Sequence, residues 1–65
     1  MIEVTKLSGG TFWLNPHQIE YVELLPDTSV AMLSGKHYRV KESIAELQSK
    51  IVEYRRLIGA FKNEE

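Results

Sequence analysis

The hydrophobic rhythm of this chain changes near Val40, and this change constrains the fold more than any other feature. Before that point the apolar residues come in short blocks separated by turn residues, a pattern typical of a small antiparallel sheet. After it they are spaced alternately three and four residues apart, which is the spacing of a helix with one narrow apolar seam. The seam consists of Ile44, Leu47, Ile51, Tyr54, Ile58 and Phe61. The sequence therefore predicts an α+β fold in which a β half is followed by one long amphipathic helix.

Turn residues divide the β half into segments of strand length. The turns are Ser8-Gly9-Gly10, Asn15-Pro16, Pro26-Asp27-Thr28 and Ser34-Gly35. Between them, the alternating or β-branched segments cover residues 2–7, 11–14, 19–24, 29–33 and 37–40. These segments predict a small antiparallel sheet or open barrel of four or five strands over residues 2–40.

The start of the helix is marked by Ser43-Ile-Ala-Glu46, which matches the capping box. We expect a helix over about residues 42–60. Such a helix is roughly 27 Å long, whereas strands of this size span only about 17–20 Å. The end of the seam, at Tyr54, Ile58 and Phe61, is therefore expected to project beyond the sheet and to form the interface of a homo-oligomer.

Size and composition also favour self-association. Sixty-five residues indicate one domain, residues 1–65, and a domain this small buries only about 60% of the surface of its unfolded chain. The absence of cysteine excludes disulfides and thiolate zinc sites, and His17 and His37 are too far apart in sequence to suggest a metal site. A partner subunit is then the remaining means of adding stability.

The charge pattern and the hydropathy of the chain disfavour nucleic acid and membrane as partners. The net charge is −1 with both signs interspersed, whereas nucleic-acid-binding modules usually show a basic excess. Neither a signal peptide nor an apolar run of about 20 residues is visible. We therefore expect a soluble, cytoplasmic protein with no membrane span and no nucleic-acid partner.

The chain contains no recognisable catalytic constellation. No serine lies in a nucleophile elbow, Gly9-Gly10 lacks the helix and lysine of a phosphate loop, and the acidic residues have no metal-binding spacing. We expect no catalytic residue, no cofactor and no metal. The adjacent aromatics Phe12 and Trp13 are more informative, because only one of them can face the core of a strand pair. The other is expected to be exposed as an anchor for a protein partner.

An ordered set of short segments resembles the small flagellar protein family called FlbD, also known as swarming motility protein SwrD. The segments are Leu14-Asn15-Pro16, Pro26-Asp27-Thr28, Leu33-Ser34-Gly35-Lys36 and Val40-Lys41-Glu42-Ser43. The resemblance implies a flagellar accessory protein without enzymatic activity that supports motor torque and swarming through contact with the motor or its stator. The positions that match the family pattern are Asn15, Pro16, Asp27, Gly35 and Glu42, most of which have structural explanations in turns and at the start of the helix.

Two functions of different classes stay open. The first is an adaptor of the flagellar motor that acts by protein–protein contact, cytoplasmic but associated with the motor at the membrane. The second is a small RNA-binding regulator similar to the carbon storage regulator proteins, which need basic residues on exposed strand edges. The basic set here is thin, with Lys6 in the first predicted strand and His37, Arg39 and Lys41 along the fifth. The adaptor is therefore the favoured hypothesis.

Overall fold

A computed structural model describes residues 1–59, and it confirms the α+β prediction. Five strands form two small antiparallel sheets, and one helix follows them. The elements are β1 (Ile2–Thr5), β2 (Thr11–Leu14), β3 (Ile19–Leu24), β4 (Thr28–Met32), β5 (His37–Val40) and α1 (Ile44–Ile58). A short 3-10 turn at Pro16–Gln18, between β2 and β3, was not predicted from the sequence.

The two sheets are a hairpin and a meander. β1 and β2 pair from Ile2 opposite Leu14 to Thr5 opposite Thr11, and Gly9 and Gly10 take positive φ angles in the turn between them. The second sheet has the order β3–β4–β5.

The sheets meet at one corner, where the end of β1 pairs with β5. Lys6 forms an isolated antiparallel bridge with Val40. The Lys41 N–H donates to the Thr5 carbonyl at 2.8 Å, and the Leu7 N–H donates to the Arg39 carbonyl at 3.3 Å. β1 therefore continues the edge of the second sheet at this corner.

The core lies between the inner faces of the sheets and the first half of α1. Alternation along the strands turns one set of side chains inward, and its fully buried members are Val4, Val30 and Val40. Leu47 is the buried residue of the helix, with Ile51 and Tyr54 half-buried against the same cluster. The seam is thus core-facing over its first turns.

The helix begins as its capping box predicts. The Ser43 Oγ accepts from the Glu46 N–H at 3.1 Å, and the Ser43 N–H donates to the Glu46 Oε1 at 2.8 Å. These bonds set Ile44 as the first helical residue, two residues later than expected. Gly59 follows Ile58 in the left-handed region with φ 71°. α1 therefore ends at Ile58, close to the expected end at about residue 60.

Candidate functional site

The two adjacent aromatic residues of β2 point to opposite sides of the hairpin. Phe12 pairs with the buried Val4 and packs against the core, where its ring lies 5.3 Å from the ring of Tyr38. Trp13 pairs with Glu3 on the other face and is 58% exposed. Trp13 is therefore the exposed member of the pair.

Trp13 lines a groove of about 480 Å³ between the β1–β2 hairpin and α1. We call this feature the Trp13 groove. Its apolar lining comes from Met1, Ile2, Trp13, Tyr54 and Leu57, and its charged lining from Glu3, Lys50 and Glu53. A concave surface with large apolar groups and a few charged ones at its sides suits the binding of an apolar side chain from another molecule.

Tyr54 packs differently from the sequence-based expectation. It was expected beyond the sheet, but it is half-buried against the core and its ring lies 5.6 Å from the ring of His17 in edge-to-face geometry. The 3-10 turn before β3 carries His17 to this position. Tyr54 thus forms part of the groove wall and part of the chain's own packing.

The end of the seam beyond Tyr54 is exposed. Ile58, one helical turn further on, is 50% exposed. The third residue of the predicted oligomer interface, Phe61, lies outside the described residues. The structure therefore brings Trp13 and Tyr54, predicted as parts of separate interfaces, to one surface, and leaves Ile58 next to it along the helix.

Sequence reasoning missed the most exposed apolar residue of the groove. Leu57 is 76% exposed, and it lies off the seam that identified the other helix residues. Its spacing of three residues from Tyr54 places both on neighbouring positions of the helix surface, which was a signal available in the sequence. Met1, also exposed, gave no such signal.

Four of the five family-pattern residues lie in turns. Asn15 Oδ1 accepts from the His17 N–H at 3.0 Å, and the buried Pro16 opens the 3-10 turn that carries His17. Asp27 is half-buried in the β3–β4 turn. Gly35 takes φ 94° in the β4–β5 turn, where a residue with a Cβ would be strained.

The fifth, Glu42, connects the start of the helix to the end of β1. Its carboxylate accepts from the Thr5 N–H at 3.0 and 3.1 Å and from the Thr5 hydroxyl at 3.0 Å. Partial burial of this carboxylate disfavours its charge, but the hydrogen bonds from Thr5 and its own backbone, with the nearby Lys50, outweigh burial and lower the pKa of Glu42. Glu42 thereby fixes the helix against the hairpin, and these two elements are the walls of the Trp13 groove.

Residues 1–59 contain neither a metal-binding cluster nor a membrane-spanning helix. No group of three or more His, Asp or Glu side chains in this part of the chain is arranged to hold a metal ion. No helix among these residues is long and apolar enough to cross a membrane.

The chain is similar over residues 1–59 to the FlbD family, described as flagellar and swarming motility proteins. The curated proteins and the solved structures that were searched contain no match to it.

Proposed function

The chain belongs to the FlbD family of flagellar and swarming motility proteins, and we propose that it acts without catalysis, supporting motor torque by binding a protein of the motor or its stator. The observation that carries this proposal is the Trp13 groove, in which Trp13 and Leu57 are 58% and 76% exposed. The protein is then cytoplasmic and reaches the motor at the membrane through this contact.

The energetics of the groove favour a protein partner. Full burial of one large apolar side chain is worth about 1.5–3 kcal/mol, so the exposed Trp13, Leu57 and Met1 forgo stabilisation that a small domain needs. Tryptophan and tyrosine are also the residue types that dominate binding energy at protein interfaces. An apolar side chain of the partner, inserted between Trp13 and Leu57, would recover this burial.

Self-association through α1 is part of the same proposal. Tyr54 lies in the groove and Ile58 follows it on the helix, so a second copy docked on this end of α1 would cover part of the partner surface. The homo-oligomer and the complex with the flagellar partner would then compete for the same face of the protein.

The test uses a matched pair of helix substitutions. Leu57→Glu places a charge in the groove, whereas Val52→Glu makes the same change at an exposed apolar residue of α1 outside the groove. Each variant is expressed in a flagellated strain that lacks its own family member, and swarming rate and motor torque on a tethered cell are measured. We expect Leu57→Glu to lose most of the activity and Val52→Glu to keep it.

Thermal unfolding of both purified variants shows whether a swarming defect arises from loss of the partner contact or from loss of the fold. Both substitutions are at exposed positions, so both proteins should melt within a few degrees of the parent chain. Normal swarming with Leu57→Glu at normal protein levels would contradict the proposal, as would an equal defect with Val52→Glu.

A further inference from the structure

A second concave surface, of about 300 Å³, lies at the corner where β1 meets β5. We call it the basic cleft. Its lining includes Lys6, Leu7, Phe12, His37, Tyr38 and Arg39, and it shares no lining residue with the Trp13 groove. It is therefore independent of the function proposed above.

We propose that the basic cleft binds an acidic peptide segment of a partner protein, with an apolar residue between the acidic ones. The charge of the cleft supports an acidic partner. The chain carries a net charge of −1, yet the cleft is lined by two cationic side chains, Lys6 and Arg39, and by no carboxylate. Among residues 1–59, neither Lys6 nor Arg39 has a carboxylate within ion-pair distance. The positive charge of the cleft is therefore available to an acidic partner.

The aromatic floor of the cleft supports an apolar residue within that acidic segment. Phe12 and Tyr38 are both half-buried, with ring centroids 5.3 Å apart and planes tilted by 49°. Lys6 Nζ lies 5.7 Å from the centroid of the Phe12 ring, close enough for a cation–π interaction. Leu7 adds an exposed apolar group at the side. The cleft thus offers apolar contact and positive charge within a few ångströms, which an acidic segment with one apolar residue matches.

RNA also combines negative charge, in its phosphates, with apolar surface, in its bases. The same geometry disfavours RNA as the ligand of the cleft. Single-stranded nucleic acids bind through open aromatic faces along a basic track, at about 1–3 kcal/mol per stacked base. Here Phe12 packs against Tyr38 and lies beneath Lys6, so the two rings do not form an open stacking platform.

The track of positive charge is also short. Across the outer face of the second sheet, the strand register aligns Arg39 with Ser29 and Ser29 with Glu23. Adjacent strands are about 4.8 Å apart, so a polyanion that continued across the sheet would reach Glu23 within about 10 Å. A short acidic segment can bind at the corner without this repulsion.

The experiment measures fluorescence anisotropy of a short labelled peptide in which Asp and Glu flank one central Leu. An oligouridylate RNA and a peptide with Lys in place of the acidic residues are the comparison probes. Arg39→Glu reverses a charge in the cleft, and Lys36→Glu makes the same change in charge in the β4–β5 turn, outside the cleft. Titrations are made at low salt and at about 0.15 M ionic strength, where the screening length is about 8 Å.

We expect the parent chain to bind the acidic peptide more tightly than the RNA and not to bind the Lys peptide. Arg39→Glu should weaken peptide binding at least about tenfold, and Lys36→Glu less than about twofold. Leu57→Glu should bind the peptide normally, because it changes only the Trp13 groove. Thermal unfolding of each variant shows that the fold is retained.

Three results would overturn the inference. Tighter binding of RNA than of peptide, lost in Arg39→Glu, would assign the cleft to nucleic acid. Equal losses of peptide affinity in Arg39→Glu and Lys36→Glu would show that the binding is a non-specific attraction between charges. If the parent chain does not bind the acidic peptide at low salt, the proposed function of the cleft is wrong.

Discussion

The two ends of α1 have the same kind of sequence and very different surroundings. At the first end, Ser43 forms the capping box, Glu42 is hydrogen-bonded to Thr5, and Leu47 is only 1% exposed. At the second end, Leu57 and Ile58 are 76% and 50% exposed. Both ends carry apolar residues at helical spacing, so periodicity alone does not distinguish a buried side chain from an exposed one.

The difference follows from the short strands that α1 packs against. The helix has 15 residues and the strands of the hairpin have 4 each, so the sheets cover the first part of the helix and not the last. We therefore expect stability to depend on the first end, and the function proposed for the Trp13 groove to depend on the second. Substitutions along the helix test this division.

The largest effect is expected at Leu47. Leu47→Ala removes a fully buried side chain and leaves a cavity, which costs about 2–5 kcal/mol, while small domains have only about 5–15 kcal/mol in total. The variant should be partly or wholly unfolded, as measured by circular dichroism in a urea titration. Ile58→Ala is the control and should change the free energy of unfolding by less than about 1 kcal/mol. Similar losses in the two variants would remove the distinction between the ends.

The next effect is a pH dependence that arises from Glu42. Because the folded chain lowers the pKa of this carboxyl, its contribution to stability is complete above the unfolded pKa of about 4.3 and is lost as the pH falls through the lower folded value. The melting temperature of the parent chain should therefore fall below about pH 4.5.

The control for this prediction is Glu42→Gln, which keeps the shape of the side chain and removes its charge. It should be less stable than the parent chain at pH 7, because hydrogen bonds to a charged group are worth about 1.5–3 kcal/mol and those to a neutral one less. The two proteins should converge in stability as the pH falls. A constant difference from pH 7 to pH 3 would show that the carboxylate charge does not contribute.

Local sequence predicted the first end of the helix well because its determinants are neighbours in the chain. The spacing of Ser43 and Glu46 specifies the capping box, and the spacing to Leu47 specifies the buried face. The carboxylate of Glu42, in contrast, was predicted only as a residue at the start of the helix, and its partner Thr5 lies 37 residues away. Long-range pairing of this kind has no local signature.

The groove was less predictable for the same reason. Trp13 and Leu57 come from opposite ends of the chain and meet only because the hairpin packs beside the helix. The orientation of Trp13 depended on the hairpin register that pairs Phe12 with the buried Val4. The position of Tyr54 depended on an unpredicted 3-10 turn that brings His17 against it.

A smaller effect is expected from loss of the cap. Ser43→Ala removes the acceptor of the Glu46 N–H and should cost about 1 kcal/mol. For a domain of this size that loss corresponds to a decrease of about 4–8 °C in melting temperature. Ser49→Ala is the matched control, because the same substitution within the helix improves helix propensity and should leave the melting temperature equal or slightly higher. A decrease of equal size in both would contradict the role of the cap.

The smallest effect on folding is expected at Ile58, where the substitution should instead change assembly. Ile58→Glu alters an exposed side chain, so the free energy of unfolding of a single chain should change by no more than about 0.5 kcal/mol. If copies of the chain associate through this end of α1, the melting temperature of the parent chain rises with protein concentration, because assembly is linked to folding. That rise should disappear in Ile58→Glu and persist in Val52→Glu. Sedimentation equilibrium gives the mass directly: a folded monomer at high micromolar concentration would rule out self-association and leave the exposed end of the helix to a different protein.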